Sequence, residues 1–343
     1  MRKLLNTLYV TTPDVYLSLD GENIVVLQDD NELGRFPLHY FEGIVSFNYK
    51  GASPALMGAC AKRNISLCFM TSHGRFLARV TGEVRGNVVL RKNQYQMSEN
   101  QADSIKLARN FILGKVFNSR WIIERATRDY ALRIDTDRLK NVSSNLHNSL
   151  SYIRGCSDFD RLRGLEGEAA SQYFSVFDDL ILNQKDKFYF NNRNRRPPTD
   201  NVNALLSFIY SILGNEIAAA LETVGLDAYV GFLHTDRPGR ASLALDLLEE
   251  FRGIMADRFV LSLINMKKIN DADFFKKENG AVILTDEARK KVLSSWQLKK
   301  LEKITHPFLN EKIEWGLVPY VQAMLLARYI RGDLDEYPPF LWK

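Results

Sequence analysis

The sequence predicts an α+β protein, in which a small N-terminal domain of β-strands precedes a larger domain built of α-helices. Apolar and polar residues alternate over roughly the first ninety positions, and from position 98 apolar residues recur every three or four positions. The length of 343 residues allows two separate hydrophobic cores. We therefore predict a β-rich domain over residues 1–92, a linker over 93–97 and a helical domain over 98–343.

The predicted N-terminal domain contains a strong hairpin signal at Asp20 and Gly21. This Asp-Gly pair separates two alternating apolar runs, a pattern that favours a tight turn between antiparallel strands. Ser53 followed by Pro54 predicts the start of a short helix, because serine caps free backbone N–H groups and proline suits the first helical position. Further strands are predicted over residues 43–47, 65–69 and 76–80.

The predicted helical domain begins with a capping box formed by Ser98 and Gln101. Asp200 predicts the N-cap of a later helix, and Gly225 stands where that helix should end. One Asn-Gly pair interrupts the helical pattern and predicts a small hairpin over residues 274–284. Helices are predicted near residues 98–133, 158–183, 200–224, 242–264, 286–303 and 315–331.

Composition excludes several classes of protein. Cys60, Cys68 and Cys156 show no Cys-x-x-Cys spacing, which argues against a zinc ribbon or a disulfide framework and favours a reducing compartment. No run approaches the roughly 20 apolar residues of a membrane helix, and the N-terminus carries no signal-peptide pattern, so we expect a cytoplasmic protein. The net charge of +5 permits binding to a polyanion, although plain solubility explains it equally well.

Glu166 is the first candidate for chemistry, because its carboxylate falls on an otherwise apolar helical stripe. A buried carboxylate needs a cation or hydrogen-bond donors, which a bound ligand or a structural salt bridge to Arg163 or Arg252 would supply. Gly164 and Gly167 disfavour the helix and therefore suggest close approach of another backbone or a ligand. The stripe consists of Leu162, Ala169, Ala170, Tyr173 and Phe177.

His234 is the second candidate. It ends a short apolar run and precedes a Pro-Gly turn, and ligands and bases are often found at such element ends. A single histidine is nevertheless more often a structural residue. The flanking Arg237 and Arg240 suit phosphate binding, or they belong to a solvated turn.

The third candidate is the acidic side of the helix predicted over residues 242–264. Asp246 and Glu249 lie one turn apart there, so both can point at one site, and Glu250 shares this side of the helix. A solvated acidic face is the alternative. A cleft is favoured, however, because exposed faces usually carry longer side chains than the small neighbours Ser242, Gly253 and Ala256.

Two carboxylates and one imidazole together suit Mn²⁺ or Mg²⁺ better than a metal that prefers thiolates. An ion with open coordination positions could polarise a phosphate oxygen and orient a hydroxyl nucleophile. Two other hypotheses stay open. One is a non-catalytic DNA-binding scaffold with structural carboxylates, and the other is a helical protein-interaction module.

Four blocks carry a resemblance to a known family: Leu165-Glu166-Gly167 with Ala170 and Tyr173, residues 203–210, residues 231–234, and residues 243–252. In this order they resemble CRISPR-associated protein one, the endonuclease and integrase of CRISPR adaptation, across nearly the whole chain. The resemblance implies a β-strand domain that pairs two protomers and a helical catalytic domain. It also implies an enzyme that joins the 3′-hydroxyls of a short DNA fragment to a CRISPR repeat by transesterification, and that cuts DNA.

The resemblance further implies that Glu166, His234 and Glu249 bind a metal ion, Mn²⁺ or Mg²⁺, with Asp246 as a supporting catalytic acid. The implied partners are double-stranded DNA, a second copy of this chain and the small dimeric CRISPR-associated protein two. We expect arginine side chains to contact DNA phosphates, although Arg252 could instead pair with a carboxylate. The arginines nominated for DNA contact are Arg193, Arg195, Arg196, Arg237, Arg240 and Arg252.

Overall fold

The computed structural model describes residues 6–29, 31–72, 74–82 and 88–343. The chain forms two compact units. The first unit contains Met1–Arg85, Leu284–Lys303 and Glu314–Leu317, and the second contains Gly86–Ile283, Ile304–Ile313 and Val318–Lys343. A strand-rich N-terminal region is therefore followed by a mainly helical one, which confirms the predicted fold class.

The secondary structure of the described residues is as follows. The strands are β1 (Asn6–Val10), β2 (Tyr16–Asp20), β3 (Asn23–Gln28), β4 (Asn31–Pro37), β5 (Phe41–Ser46), β6 (Ser66–Met70), β7 (Phe76–Val80), β8 (Phe274–Lys276), β9 (Val282–Leu284), β10 (Lys303–Thr305) and β11 (Lys312–Glu314). The helices are α1 (Pro54–Arg63), α2 (Val88–Glu99), α3 (Gln101–Asp129), α4 (Thr136–Arg154), α5 (Phe159–Ser175), α6 (Asn201–Thr223), α7 (Ser242–Phe251), α8 (Arg258–Asn265), α9 (Asp286–Leu301) and α10 (Val318–Ile330). A π-helical turn, Arg252–Asp257, joins α7 to α8.

The described residues of the first unit form two β-sheets. One has the strand order β1-β5-β6-β7, with β5 parallel to both β1 and β6 and with β7 antiparallel to β6. The other is the antiparallel sheet β2-β3-β4. Their apolar faces and α1 enclose one hydrophobic core, which includes Val15, Leu17, Ile24, Ile44, Leu56 and Leu67.

Local turn and cap signals in this unit are confirmed. The chain turns between β2 and β3 at Gly21, whose φ of +57° lies in the left-handed region that glycine adopts without strain. The Ser53 hydroxyl accepts a hydrogen bond from the backbone N–H of Leu56 at 3.2 Å, and Pro54 opens α1.

Helix α9 was predicted correctly, but its place in the fold was not predicted. Its residues belong to the first unit, where the Lys300 ammonium donates a hydrogen bond to the Thr7 hydroxyl at 3.2 Å. Sequence periodicity shows which face of a helix is apolar, but it does not show which distant segment covers that face. Because α9 joins it, the first unit is discontinuous in sequence.

The predicted linker over residues 93–97 is helical, because these residues lie within α2. Leu90 and Gln94 are buried one turn apart, so a polar side chain occupies a position where the pattern requires an apolar one. The predicted capping box at Ser98 is also wrong. The Ser98 hydroxyl donates to the Tyr95 carbonyl, and the Asn100 side chain caps α3 by accepting from the backbone N–H of Ala102 at 2.9 Å.

Helix α4 was not predicted from the sequence. Its exposed face is strongly polar, and only a narrow set of apolar residues is buried: Leu139, Leu146, Leu150 and Ile153. The small hairpin predicted over residues 274–284 is confirmed as β8 and β9.

Helix α6 is the central apolar helix of the second unit. Contrary to the expectation that no apolar run approaches membrane length, it is the one helix among the described residues that is long and apolar enough to cross a membrane, with a mean hydropathy of 1.6 over its most apolar window. However, 61% of that window is buried inside the protein. It contacts α7 and α10, as expected for a core helix. Both of its predicted ends are confirmed, because Asp200 caps the first turn and Gly225 follows the last with a φ of +89°.

Replacing Asp200 with alanine should destabilise the second unit. The Asp200 carboxylate accepts hydrogen bonds from the backbone N–H and the side-chain amide of Asn203, both at 2.7 Å. Loss of such a cap costs about 1–2 kcal/mol in the free energy of unfolding, which urea denaturation would measure. The exposed Asp137, in the first turn of α4, provides the control: Asp137→Ala should cost less than about 0.5 kcal/mol. Equal losses would contradict the capping role.

Candidate active site

Glu166, His234 and Glu249 line one cavity of about 440 Å³ in the second unit. Glu166 comes from α5, Glu249 from α7, and His234 from the loop between α6 and α7. Sequence spacing could not show that the histidine meets the two carboxylates, and the structure brings all three to the same cavity. The other lining residues are Arg163, Leu233, Thr235, Arg237 and Arg240.

Helix α5 presents Glu166 as its apolar stripe predicts. Leu162, Ala169 and Tyr173 on this helix are buried, whereas the Glu166 side chain keeps 30% of its surface exposed at the cavity. Gly164 and Gly167 do not support close approach of another backbone, because a Cβ at either position would meet nothing within 4 Å. That part of the expectation is wrong, and these glycines leave the helix surface beside Glu166 open.

Helix α7 is buried on both sides. Besides its apolar residues, Asp246, Glu249 and Glu250 are all buried, so the alternative of a solvated acidic face is wrong. Buried carboxylates are costly unless each one is paired or protonated. The partners of these three groups therefore define the surroundings of the cavity.

Asp246 holds the loop that carries His234. Its carboxylate accepts hydrogen bonds from the backbone N–H groups of Phe232 at 2.6 Å, Leu233 at 2.9 Å and His234 at 2.9 Å. It also lies 2.7 Å from Nδ1 of the His234 ring, which leaves Nε2 as the ring nitrogen that Asp246 does not engage. Glycine is required at position 231, next to the Asp246 carboxylate. A Cβ there would lie 2.9 Å from an Asp246 oxygen and 2.8 Å from the Ser242 Cβ.

Lys115 of α3 is the cation between the two predicted acidic ligands. Its ammonium contacts the Glu166 carboxylate and lies 2.8 Å from Oε2 of Glu249, while Nη2 of Arg252 lies 3.0 Å from Oε1 of Glu249. Burial opposes ionisation of Glu249, but the charges of Arg252 and Lys115 outweigh it and lower the pKa of Glu249 to about 2. Burial likewise disfavours the charged form of Lys115, and the two carboxylates outweigh it and raise the pKa of its ammonium.

Lys115 was not predicted as a site residue. Its signal was available, since it is one lysine within the apolar run 111–117 of a long helix. The predicted alternative for Arg252 is confirmed, because this side chain forms an ion pair with Glu249. Arg163 does not pair with Glu166 and instead forms an ion pair with Asp160.

A buried polar cluster adjoins the cavity behind Arg252. Asp257 accepts hydrogen bonds from the hydroxyls of Tyr173 at 3.1 Å and Tyr210 at 2.5 Å. The guanidinium groups of Arg193 and Arg252 stack on the Tyr210 ring at 5.3 and 5.0 Å from its centroid. Burial raises the pKa of Asp257 to about 6, even though the two tyrosine hydrogen bonds favour its ionised form.

The nominated DNA-contacting arginines fall into two groups. Arg193 and Arg252 are engaged inside the protein, and Arg193 donates hydrogen bonds to the Asn203 side chain at 2.7 Å and the Ser207 hydroxyl at 3.0 Å. Arg195, Arg196 and Arg237 are exposed, and Arg240 is half-buried at the rim of the cavity.

The side chains of Glu166, His234 and Glu249 are of the types that bind a divalent ion, although their present conformations do not form a chelating group. Among the described residues, no three His, Cys, Asp or Glu side chains lie close enough together to hold an ion directly. Yet Glu166 and Glu249 already share one cation, the Lys115 ammonium, and the His234 ring is oriented by a carboxylate, as metal-binding histidines usually are. Carboxylate and imidazole donors suit Mn²⁺ or Mg²⁺.

Known proteins resemble this chain over its full length. The family model for the CRISPR associated protein Cas1 matches residues 8–298. The CRISPR-associated endonuclease Cas1 1 of Chlorobaculum tepidum is 49% identical over 343 residues, and the CRISPR-associated endonuclease Cas1 2 of Rhodospirillum rubrum is 50% identical over 347 residues; both alignments cover 100% of each chain. These matches show that the chain is a CRISPR-associated protein. Within that class, the chain belongs to the Cas1 family, which confirms the resemblance found in its sequence blocks.

Solved structures share the fold at lower identity. A casposase bound to its integration product superposes with a TM-score of 0.82 at 22% identity, covering 99% of this chain and 95% of that one. A Cas6-RT-Cas1–Cas2 complex gives a TM-score of 0.81 at 22% identity, covering 100% of this chain and 36% of the larger one. At such identity the likeness shows the fold alone.

Replacing Asp257 with asparagine should change how stability depends on pH. Because the pKa of Asp257 rises from 3.8 to about 6 on folding, its stabilising contribution is complete below pH ~4 and is lost as the pH rises through ~6. Asparagine cannot ionise, so the free energy of unfolding of Asp257→Asn relative to wild type should increase by up to about 3 kcal/mol between pH 4 and 7. Urea denaturation across this range, with the exposed Asp160→Asn as control, would measure the difference. Parallel pH curves for Asp257→Asn and wild type would refute the buried titration.

Proposed function

We propose that this chain is a divalent-metal-dependent DNA endonuclease and integrase of CRISPR adaptation, which inserts short DNA fragments into the CRISPR array by 3′-hydroxyl transesterification. One observation carries the proposal: Glu166, His234 and Glu249 line a single cavity whose rim carries Arg163, Arg237 and Arg240. Acidic and imidazole donors below basic side chains suit a metal ion and a phosphodiester in the same place.

The names of the full-length relatives support the nuclease part of the proposal, since both are called CRISPR-associated endonucleases. The casposase that shares the fold is bound to an integration product, which supports the integrase part. In the proposed reaction the 3′-oxygen of the fragment forms a bond to a phosphorus of the repeat strand. The bond from that phosphorus to the repeat's own 3′-oxygen breaks, so the number of phosphodiesters is unchanged.

Each side chain of the site has a proposed role. Glu166, His234 and Glu249 would hold Mn²⁺ or Mg²⁺, and the bound ion would polarise a phosphate oxygen. Asp246 acts through His234, because it fixes both the ring and the backbone of the loop that carries it. The arginines at the rim attract the phosphates of the DNA.

The proposed partners are double-stranded DNA, a second copy of this chain and the small dimeric CRISPR-associated protein two. The Cas6-RT-Cas1–Cas2 complex shares the fold of this chain and so supports the last of these. The alternative function is a non-catalytic DNA-binding scaffold. It is favoured by one observation, that Lys115 and Arg252 already neutralise Glu249 without any metal ion.

Substitution of a proposed metal ligand separates these two functions. Glu166→Gln and His234→Ala should each reduce strand transfer of a labelled fragment into an array plasmid by a factor on the order of a thousand, because several kcal/mol of transition-state stabilisation are lost. Both variants should also lose the rise in melting temperature that Mn²⁺ gives the wild-type protein, while DNA affinity in EDTA stays within about twofold. Glu168→Gln, on an exposed face of the same helix, is the matched control and should retain activity. Wild-type activity in both ligand variants would show that the metal assignment is wrong, whereas a wild-type protein with no strand transfer and no rise in melting temperature with Mn²⁺ would leave the scaffold function.

The arginines at the rim should contribute salt-dependent DNA affinity. Arg237→Ala combined with Arg240→Ala should weaken DNA binding and reduce the slope of log K against log salt by about 0.9 for each phosphate contact that is lost. Fluorescence anisotropy at several salt concentrations would measure both quantities. Arg331→Ala removes a surface arginine that pairs with Asp333, and it should leave the slope unchanged. An unaltered slope in the double variant would exclude this rim from the DNA interface.

A further inference from the structure

Lys115 lies where two helices bring their carboxylates together. It extends from α3, and its side chain is only 15% exposed. Its ammonium contacts Glu166 of α5 and lies 2.8 Å from Glu249 of α7. A single positive charge therefore links two acidic groups that the chain separates by more than eighty residues.

The charges around Lys115 explain why a cation is needed there. The Glu249 side chain is only 5% exposed and Glu166 contacts the same ammonium, so the two carboxylates would repel each other without a cation between them. Arg252 contributes one charge to Glu249. Lys115 contributes the charge that Glu249 shares with Glu166.

The geometry points to Lys115 as the built-in occupant of the metal position, so that its ammonium and the divalent ion compete for Glu166 and Glu249. This inference rests on the proposed function, and it adds a residue that sets the affinity for the ion. A divalent ion bound to both carboxylates would stand within a few ångströms of the ammonium that now contacts them, and two cations at that distance repel each other strongly. The lysine must therefore withdraw when the ion binds.

The chemistry of lysine suits a cation that can be displaced. Its ammonium is a compact charge on a flexible stem of four carbons, whereas arginine forms a rigid fork that is harder to move. Lys115 also accounts for the absence of a ready chelating cluster among the described residues. Both carboxylates contact the ammonium, whereas the His234 ring contacts Asp246.

The opposite role makes the opposite prediction. If Lys115 stays in place when the metal binds, it acts as a support that orients the ligands, and its removal would weaken metal binding. If it competes, its removal strengthens metal binding. Affinity for Mn²⁺ in the absence of DNA therefore distinguishes the two roles without any measurement of catalysis.

The test is Mn²⁺ binding to the full chain, followed by the electron paramagnetic resonance signal of the free ion. Lys115→Met should lower the Kd for Mn²⁺ about tenfold or more, because the methionine keeps the length of the side chain and removes the competing charge. In EDTA the same variant should melt at a lower temperature than wild type, since the carboxylates lose their cation. Its rise in melting temperature on addition of Mn²⁺ should consequently exceed that of wild type.

Two further variants control the experiment. Lys115→Arg keeps the charge on a side chain that is harder to displace, so it should bind Mn²⁺ no more tightly than wild type, whereas Lys106→Met removes an exposed lysine of the same helix and should change nothing. If Lys115→Met does not fold in EDTA, Lys115→Gln is measured in its place.

A folded Lys115→Met protein that binds Mn²⁺ no more tightly than wild type overturns the competition. If wild type binds Mn²⁺ and Glu166→Gln abolishes that binding, the proposed metal site survives such a result. If neither wild type nor Lys115→Met binds Mn²⁺, both the metal site and the competition are wrong.

Discussion

The structure of the second unit depends on one constraint, which is that α7 carries three carboxylates into the protein interior. Asp246, Glu249 and Glu250 are all buried, and each needs compensation from outside the helix. The compensation comes from three different segments. Backbone N–H groups of the loop at 232–234 serve Asp246, the ammonium of α3 serves Glu249, and the C-terminal segment serves Glu250.

The third of these pairings fastens the end of the chain. The Glu250 carboxyl group accepts hydrogen bonds from the Tyr337 hydroxyl and the Phe340 backbone N–H, both at 2.8 Å, and from the Gln322 amide at 3.1 Å. Burial raises the pKa of Glu250 to about 8 despite these donors. Glu249 and Glu250 are thus adjacent in sequence, but their pKa values are shifted in opposite directions. Nearby cations hold Glu249 ionised for the cavity, whereas Glu250 faces neutral donors and has a structural role.

This arrangement explains what the sequence could and could not predict. Local signals were sufficient for the Asp20-Gly21 turn, for the Ser53 and Asp200 caps, and for Glu166 on an apolar stripe, because each depends on residues within about one turn. The burial of both sides of α7 could not be predicted in the same way. The small neighbours of its acidic side favoured a cleft, but helical spacing contains no information about the segments that close it, which are as distant as α3 and the C-terminal residues.

The two cations at Glu249 differ in how firmly they are held, and this difference decides which one a divalent ion can replace. The Arg252 guanidinium stacks on the Tyr210 ring, whose hydroxyl is bound to Asp257, so its position is fixed by a second buried cluster. The ammonium of Lys115, in contrast, is held by its contacts with the carboxylates of Glu166 and Glu249. A divalent ion that replaces the lysine and leaves the arginine brings two charges where one stood, and the excess charge suits an approaching phosphate. Lys115 and Arg252 thus balance the charges of Glu166 and Glu249 before an ion enters. If the proposed ion replaced the lysine, it would add to the positive charge of the rim arginines, and its occupancy would then be coupled to attraction of DNA phosphates.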